Sequence, residues 1–324
     1  MSADDQSTPA GNAAATQLLL SKGVFLIENF SAFTFASTKI TQQAGVPVTG
    51  GGFDGPEWGM QPNTNMFSTV GGTNGRTSNN LLDANFFKMV GATNIGGLAY
   101  GISPSSTGSI VDLKTALQMI GLKMGYENLS VPFGAVDITA SMLSMKAAGV
   151  DGAACSCVQS TTVAMFSGLA NQGIKAKSLS FASADSSLFN NPTATAAAQG
   201  AYYASQIPPI DTNNAATNTM LTNIKAADSS YTGGYPTFGL TGAYLAAVLT
   251  VKGLQVAGQN PTRQSFIQNL TGVTGWNANG LLAGPVGFNH FGVSQPVRCG
   301  WFVQVSGNNF KSINNGQAIC GRSF

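Results

Sequence analysis

Short apolar runs alternate along the chain with longer stretches of helical spacing, the order expected of an α/β protein. Val24-Phe25-Leu26-Ile27 is an apolar run of the kind a parallel strand shows when both its faces are covered. Ser31 follows where a helix would begin, with a hydroxyl able to cap the first turn. Ile40 and Ala44 fall on one helical face, and Gly45 ends that helix. Val46-Pro47-Val48 predicts the next strand, since proline is tolerated at a strand start. Gly50-Gly51-Gly52 then lets the backbone approach whatever lies in front of the sheet. Ligands of open α/β sheets sit beyond the carboxyl ends of the strands. The polar loops 29–31 and 50–54 both lie at that edge, so this unit outlines a binding site.

The rest of the pattern extends the plan. Residues 4–9 read as a strand end and the start of a helix running to Ser21, with Pro9 near its first position. A loop containing Trp58 is expected over 56–64 and a crossing strand over 67–70. Helices follow over 79–91, 109–124 and 137–148, with a strand over 95–100 and the polar loop ISPSSTG after it. A strand over 153–158, a helix to Gln172 and a strand over 176–181 come next. After a strand over 200–205, Pro208-Pro209 stiffens a hinge-like segment. Helices over 221–227, 237–257 and 262–269, a glycine-rich hairpin over 280–291 and strands over 301–305 and 310–313 complete the reading.

Two segments share a layout: IENFSAFTFASTKITQQAGVPVTGGGFD and SCVQSTTVAMFSGLANQGIKAKSLSFASAD. Each runs strand, Ser/Thr turn, helix, strand, then a small-residue loop with an aspartate. This predicts two lobes on one plan with a cleft between them. Only two confident parallel strands precede residue 70, leaving open sheet edges that native proteins avoid. The chain is therefore expected to lack an amino-terminal strand–helix–strand that would precede Met1.

A length of 324 residues suits two domains. Charged residues are 9% of the chain, against roughly a quarter in average soluble domains, so the surface relies on neutral hydrogen bonding. A 43% hydrophobic content argues against disorder, and a net charge of +2 without a basic run gives no case for nucleic acid. No apolar run is read as a membrane span of about 18 residues, and residues 1–12 are too polar for a signal peptide. Cys299 and Cys320 flank a terminal hairpin, where a disulfide and an oxidising compartment are expected. Cys155 and Cys157 share a strand face and read as small core residues, with a disulfide or metal pair as the lesser alternative.

Catalytic chemistry finds no foothold. His290 is the single histidine, no G-x-S-x-G elbow or G-x-G-x-x-G after a strand occurs, and no His/Cys/carboxylate cluster has metal spacing. A non-enzyme without cofactor or metal is expected. Ser31, Asp54, Gln159, Ser160, Asp185, Ser103, Ser105 and Ser106 each read as a ligand contact or as a cap or turn residue. Trp58 reads as a cleft wall or a loop anchor.

The chain resembles the branched-chain amino-acid-binding (type I periplasmic) proteins, the solute receptors of ABC importers. The likeness lies in ordered pieces: DDQSTPAGNAAATQLL, the Ser31 turn, QQAGVPV with its glycine loop, VPFGAVDITASMLSMKAAGVDGAAC, NQGIKAK and GLLAGPVGFN. The resemblance implies two doubly wound Rossmann-like lobes joined by a hinge, 1–70 with 206–297 and 71–205 with 298–324. It also implies a missing first half-lobe with a secretion or lipoprotein signal, a periplasmic or cell-surface location and an ABC permease as membrane partner. The implied ligand set is Asn29, Ser31, Gly52, Phe53, Asp54, Ser105, Ser106, Val158, Gln159, Ala182 and Asp185. Ser31 matches the hydroxyl that contacts the ligand carboxylate, and Gly52 matches a backbone contact. Asp54 stands where amino-acid binders have threonine, and Val158 stands for a cleft aromatic. Ala182 replaces the acid that pairs with the ligand ammonium, which turns the expectation toward an uncharged or anionic solute. Two alternatives remain: a non-transport sensor of the same fold, or a fragment that binds nothing.

Overall fold

The computed structural model describes residues 1–51, 57–58, 63–70, 79–289 and 297–324. Helix α1 (Pro9–Ser21) opens the chain, with Thr8 accepting a hydrogen bond from the Gly11 amide and proline at the first turn. Strand β1 (Ile27–Asn29), helix α2 (Thr38–Gln43), β2 (Val48–Gly50) and β3 (Met66–Ser68) follow. The three strands pair in parallel, in the order β1-β2-β3, and form the small sheet.

The large sheet is built from the middle and end of the chain. In order come α3 (Leu82–Met89), β4 (Asn94–Tyr100), α4 (Pro104–Met119), β5 (Lys123–Val131), α5 (Thr139–Ala147) and β6 (Gly152–Ser156). Then follow α6 (Gln159–Asn171), β7 (Lys177–Ser183), α7 (Pro192–Ala197) and β8 (Tyr202–Ser205). Helices α8 (Ala215–Ala227), α9 (Phe238–Ala257) and α10 (Arg263–Thr271) precede β9 (Val297–Ser306), β10 (Asn309–Ser312) and β11 (Ile319–Arg322). The strand order is β10-β9-β8-β7-β6-β4-β5, with β11 also on β9. From β8 to β5 all pairs are parallel, whereas β9 runs antiparallel to β8. The chain leaves β4 for β5 on one side and for β6 on the other, so the order reverses between β4 and β6. Ligand sites of open sheets lie at such a point.

Burial explains the layers. One face of the large sheet packs Ile95, Ala99, Ala154 and Leu179 against Phe86 and Phe87 of α3 and Ile110, Leu113 and Leu117 of α4. The other face joins Leu98, Cys155 and Tyr203 to Met142, Met165 and Phe166, and this cluster continues to Leu245, Leu249 and Phe266 beside the small sheet. Helix α9 is long and apolar enough to cross a membrane by length and composition, although Thr241, Thr250 and Lys252 break it so that no continuous apolar run marks it in the sequence. It packs instead on β1, β2 and α10. A Cβ at Gly242 would lie 1.7 Å from Phe30 and one at Gly253 would lie 2.2 Å from Phe266, so these glycines let the helix sit close.

Several expected elements differ. Residues 66–68 form the third parallel strand of the small sheet rather than a crossing strand. No strand precedes α1 within residues 1–8. The strand expected from Val24 begins at Ile27, and Arg263 donates to the Val24 and Phe25 carbonyls ahead of it. The helix expected over 109–124 starts at Pro104, capped by Ser103, and stops at Met119. Residues 123–131 form β5, the half-exposed edge strand, which the helical spacing of Leu117, Ile120 and Met124 had hidden. Cys155 and Cys157 are buried, as core residues would be, but they are joined in a disulfide. Cys299 and Cys320 are direct cross-strand partners of β9 and β11 and form the second disulfide.

Candidate functional site

The carboxyl ends of β1 and β2 carry the first group of polar residues. Asn29 is buried, its Nδ2 3.5 Å from the Ser37 hydroxyl. The Ser31 hydroxyl accepts from the Phe33 amide at 3.0 Å and donates to the Asp5 carboxylate. It therefore stabilises the turn ahead of a short 3-10 segment, Thr34–Ala36, rather than the first turn of a long helix. Gly52, Phe53 and Asp54 lie outside the described residues, as does His290.

Trp58 is an anchor: it has no exposed surface and its Nε1 donates to Thr34 Oγ1 at 3.0 Å. Beside it, Glu57 is 5% exposed, with Oε1 accepting from Thr34 Oγ1 at 2.5 Å and Oε2 without a partner among the described residues. Burial raises the Glu57 pKa, and the Thr34 hydrogen bond opposes that rise in part. A carboxyl with its folded-state pKa raised costs stability as pH climbs from the unfolded value through the folded one. Glu57→Gln, which keeps an acceptor for Thr34, should therefore gain about 1–3 kcal/mol over the wild type at pH 8. At pH 4 the two should match, a comparison urea unfolding at both pH values would make.

The large sheet presents its switch point between the loops after β4 and β6. Ser106 ties them together: its Oγ donates to the Ser156 carbonyl at 2.5 Å and accepts from the Tyr100 amide at 2.8 Å. The Tyr100 hydroxyl donates to Thr161 Oγ1 at 2.8 Å and accepts from the Val158 amide at 3.1 Å. Ser105 lies 3.1 Å from Ser103, the cap of α4. Val158 is exposed at the start of α6, directly after the Cys155–Cys157 disulfide. Ala182 is partly buried in β7, its carbonyl 3.4 Å from the Ser180 hydroxyl. Asp185 is buried and accepts from the Ser187 amide at 2.8 Å, capping a 3-10 turn.

Three neutral groups near this edge have unmet hydrogen bonds. Both side-chain atoms of Gln159, the Tyr203 hydroxyl and Gln206 Oε1 are buried and, among the described residues, have no partner at full hydrogen-bond geometry. Tyr203 sits close enough to Gln159 and Asp185 to feel both. Burial pushes its pKa up, the Gln159 amide opposes that, and the Asp185 charge adds to it. Each unmet buried group carries a desolvation cost of about 1–3 kcal/mol, which a hydrogen-bonding solute would relieve. Sequence reasoning singled out Gln159 but not Tyr203 or Gln206, whose roles arise from strand neighbours rather than from a motif.

Aromatic rings cross between the sheets. Phe33, just after Ser31, packs on Phe133 at 5.5 Å between centroids, and Phe133 packs on Tyr100 at 4.8 Å. The carboxyl edges of both sheets are thus brought face to face. Two further cavities lie elsewhere: about 420 Å³ beside α9, lined by Tyr244, Lys252 and Trp276, and about 640 Å³ lined by Asp211, Trp301 and Gln317. None of the expected ligand residues that the structure describes lines either one.

Two sheets with facing carboxyl edges and chain crossings between them define a two-lobed solute-binding fold. Residues 1–311 match the family model described as periplasmic binding protein, and the chain belongs to that family. It is a solute-binding protein and not an enzyme, and the family implies an extracytoplasmic location. A leucine-binding protein of Thermotoga maritima superimposes with a TM-score of 0.77 at 15% identity, over 98% of this chain and 86% of that one. A benzoate-bound solute-binding protein of an ABC transporter from R. palustris gives 0.74 at 15% identity, over 98% and 84%. A valine-bound branched-chain amino acid ABC transporter protein from Thermus thermophilus gives 0.72 at 15% identity, over 99% and 84%. No curated protein sequence matches the chain.

Proposed function

We propose that the protein is the receptor of an ABC importer and captures a small organic solute between its lobes by hinge closure. The observation that carries this reading is the cluster of unmet neutral hydrogen-bonding groups, Gln159, Tyr203 and Gln206, at the carboxyl edge of the large sheet. The facing small-sheet edge, with Asn29, Ser31 and the Phe33 ring, supplies the opposing wall. The lobes are 1–70 with 206–297 and 71–205 with 298–324. Gly52, Phe53, Asp54, Ser105, Ser106, Val158, Ala182 and Asp185 complete the proposed lining. Ser106 acts there by holding the β4 and β6 loops together, and Asp185 by fixing the turn beneath Tyr203. The closed, loaded form then docks on a membrane permease.

Solved proteins of similar fold include a leucine-binding protein, valine-bound and benzoate-bound proteins and a fatty acid ABC transporter substrate-binding protein, so amino acids, amides and small carboxylates form the ligand panel. A ligand that binds the folded state at a hundredfold excess over Kd adds about 2.7 kcal/mol, so a thermal melt with each class identifies the solute. Gln159→Ala should weaken the ligand so found by about 10-fold, the worth of one hydrogen bond, without lowering the unliganded melting temperature. Unchanged melting with every class would overturn the receptor reading.

A further inference from the structure

Strand β9 pairs with β8 so that Trp301 lies opposite Ser205, the last residue of β8. The residues of β9 before Trp301 therefore run past the carboxyl edge of the large sheet. Arg298 is among them, held opposite Gly321 of β11. Its Nη1 donates to the Val70 carbonyl at 2.5 Å, and Val70 lies just beyond the carboxyl end of β3. One guanidinium thus touches the ends of both sheets, where the chain crosses between lobes.

The same group is left half-bonded. Nη2 is shut off from solvent and has no hydrogen-bond partner among the described residues. Among the described residues no carboxylate pairs with it; the ion pair found there is Lys114–Glu127, on the far strand β5 and helix α4. The stretches that precede and follow the crossings in sequence, 71–78 and 290–296, contain no aspartate or glutamate. Arg263 makes a useful contrast, because its Nε, Nη1 and Nη2 donate to the carbonyls of Phe25, Ala44 and Val24. That arginine is a finished structural clamp; Arg298 is not. Burial lowers the Arg298 pKa to about 10, so the charge persists at neutral pH. An uncompensated buried cation is costly, and a planar fork with one free edge matches a carboxylate.

We propose that Arg298 is a ligand residue at the hinge end of the cleft and that the solute is an organic carboxylate. This rests on the receptor reading above. The neutral groups Gln159, Tyr203 and Gln206 would take the solute's hydrogen-bonding remainder, and among the described residues the negative group on that edge, Asp185, is already engaged by Ser187.

The test is calorimetric titration of wild type, Arg298→Met and Arg298→Lys with matched acids and amides: benzoate and benzamide, isovalerate and isovaleramide. An acid should bind wild type at least 100-fold tighter than its amide, and Arg298→Met should lose that acid at least 100-fold. The methionine variant should melt no lower than wild type without ligand, because the unpaired charge is gone. An amide bound as tightly as its acid, or an acid bound equally by Arg298→Met, overturns the assignment while the receptor reading stands. A methionine variant that fails to melt cooperatively also counts against it, since it marks Arg298 as structural, unless Arg298→Lys melts normally and weakens the acid 10-fold or more. If neither acids, amides, amino acids nor sugars bind wild type, both readings fall.

Discussion

Phe33→Ala should destabilise the protein by about 3–5 kcal/mol, the range for emptying an aromatic site in a packed interior. Phe33 is 2% exposed and meets both Phe35 and Phe133, so little around it can collapse into the space. Phe133→Ala should cost far less, about 1 kcal/mol, because that ring is 37% exposed and part of its surface already meets water. The pair separates stability from closure. Phe133 bridges Phe33 and Tyr100, so its removal loosens contact between the lobes while leaving each core intact. Urea unfolding reads the first effect, and a change in radius of gyration by small-angle scattering reads the second. Equal destabilisation by both variants would mean that Phe133 belongs to the packed interior and not to a surface that opens.

The double variant Cys299→Ala/Cys320→Ala should lose about 3 kcal/mol, from the freedom regained by a closed loop in the unfolded chain. The cysteines are separated by 21 residues and sit opposite each other on β9 and β11. β11 also packs on α3, whose Asn85 donates to the Cys320 carbonyl at 2.8 Å, and the Leu81 amide donates to the Arg322 carbonyl at 3.0 Å. Breaking the bond therefore loosens the last strand and the cover of one sheet face together. The thermal melt of the double variant should fall below that of oxidised wild type, and reduced wild type, which also loses Cys155–Cys157, should melt no higher than the variant; a variant melt unchanged from wild type would show that the strand pairing alone holds the end of the chain.

Much of the architecture was legible because it depends on local pattern. β4, β6, β7 and β8 are short apolar runs that end in Ser-rich loops, and α9 carries apolar residues at helical spacing. β5 was not legible. KMGYENLSV is an edge strand with partial burial, so it lacks the apolar run of its covered neighbours. The Cys155–Cys157 bond is not decided by the sequence, because two buried cysteines on one strand look alike whether bonded or free. At the candidate site, Gln159 and Ser106 followed from their place after a strand. Glu57, Phe133, Tyr203, Gln206 and Arg298 did not, since what distinguishes them is a missing partner or a ring on another lobe. No spacing rule encodes that.

Ser106 spans the reversal of strand order, holding the Tyr100 amide and the Ser156 carbonyl with one hydroxyl, while Tyr100 in turn holds Val158 and Thr161. Four loop ends are thereby fixed before any solute arrives. On the proposed hinge closure, the entropy lost on capture would fall on the relative motion of two rigid bodies and on the solute itself, not on ordering a binding loop. Free and loaded forms of this edge should superimpose within about 1 Å, as pre-organised surfaces do. Selectivity would then be set by what a fixed template admits, and affinity by how readily the other lobe comes down on it.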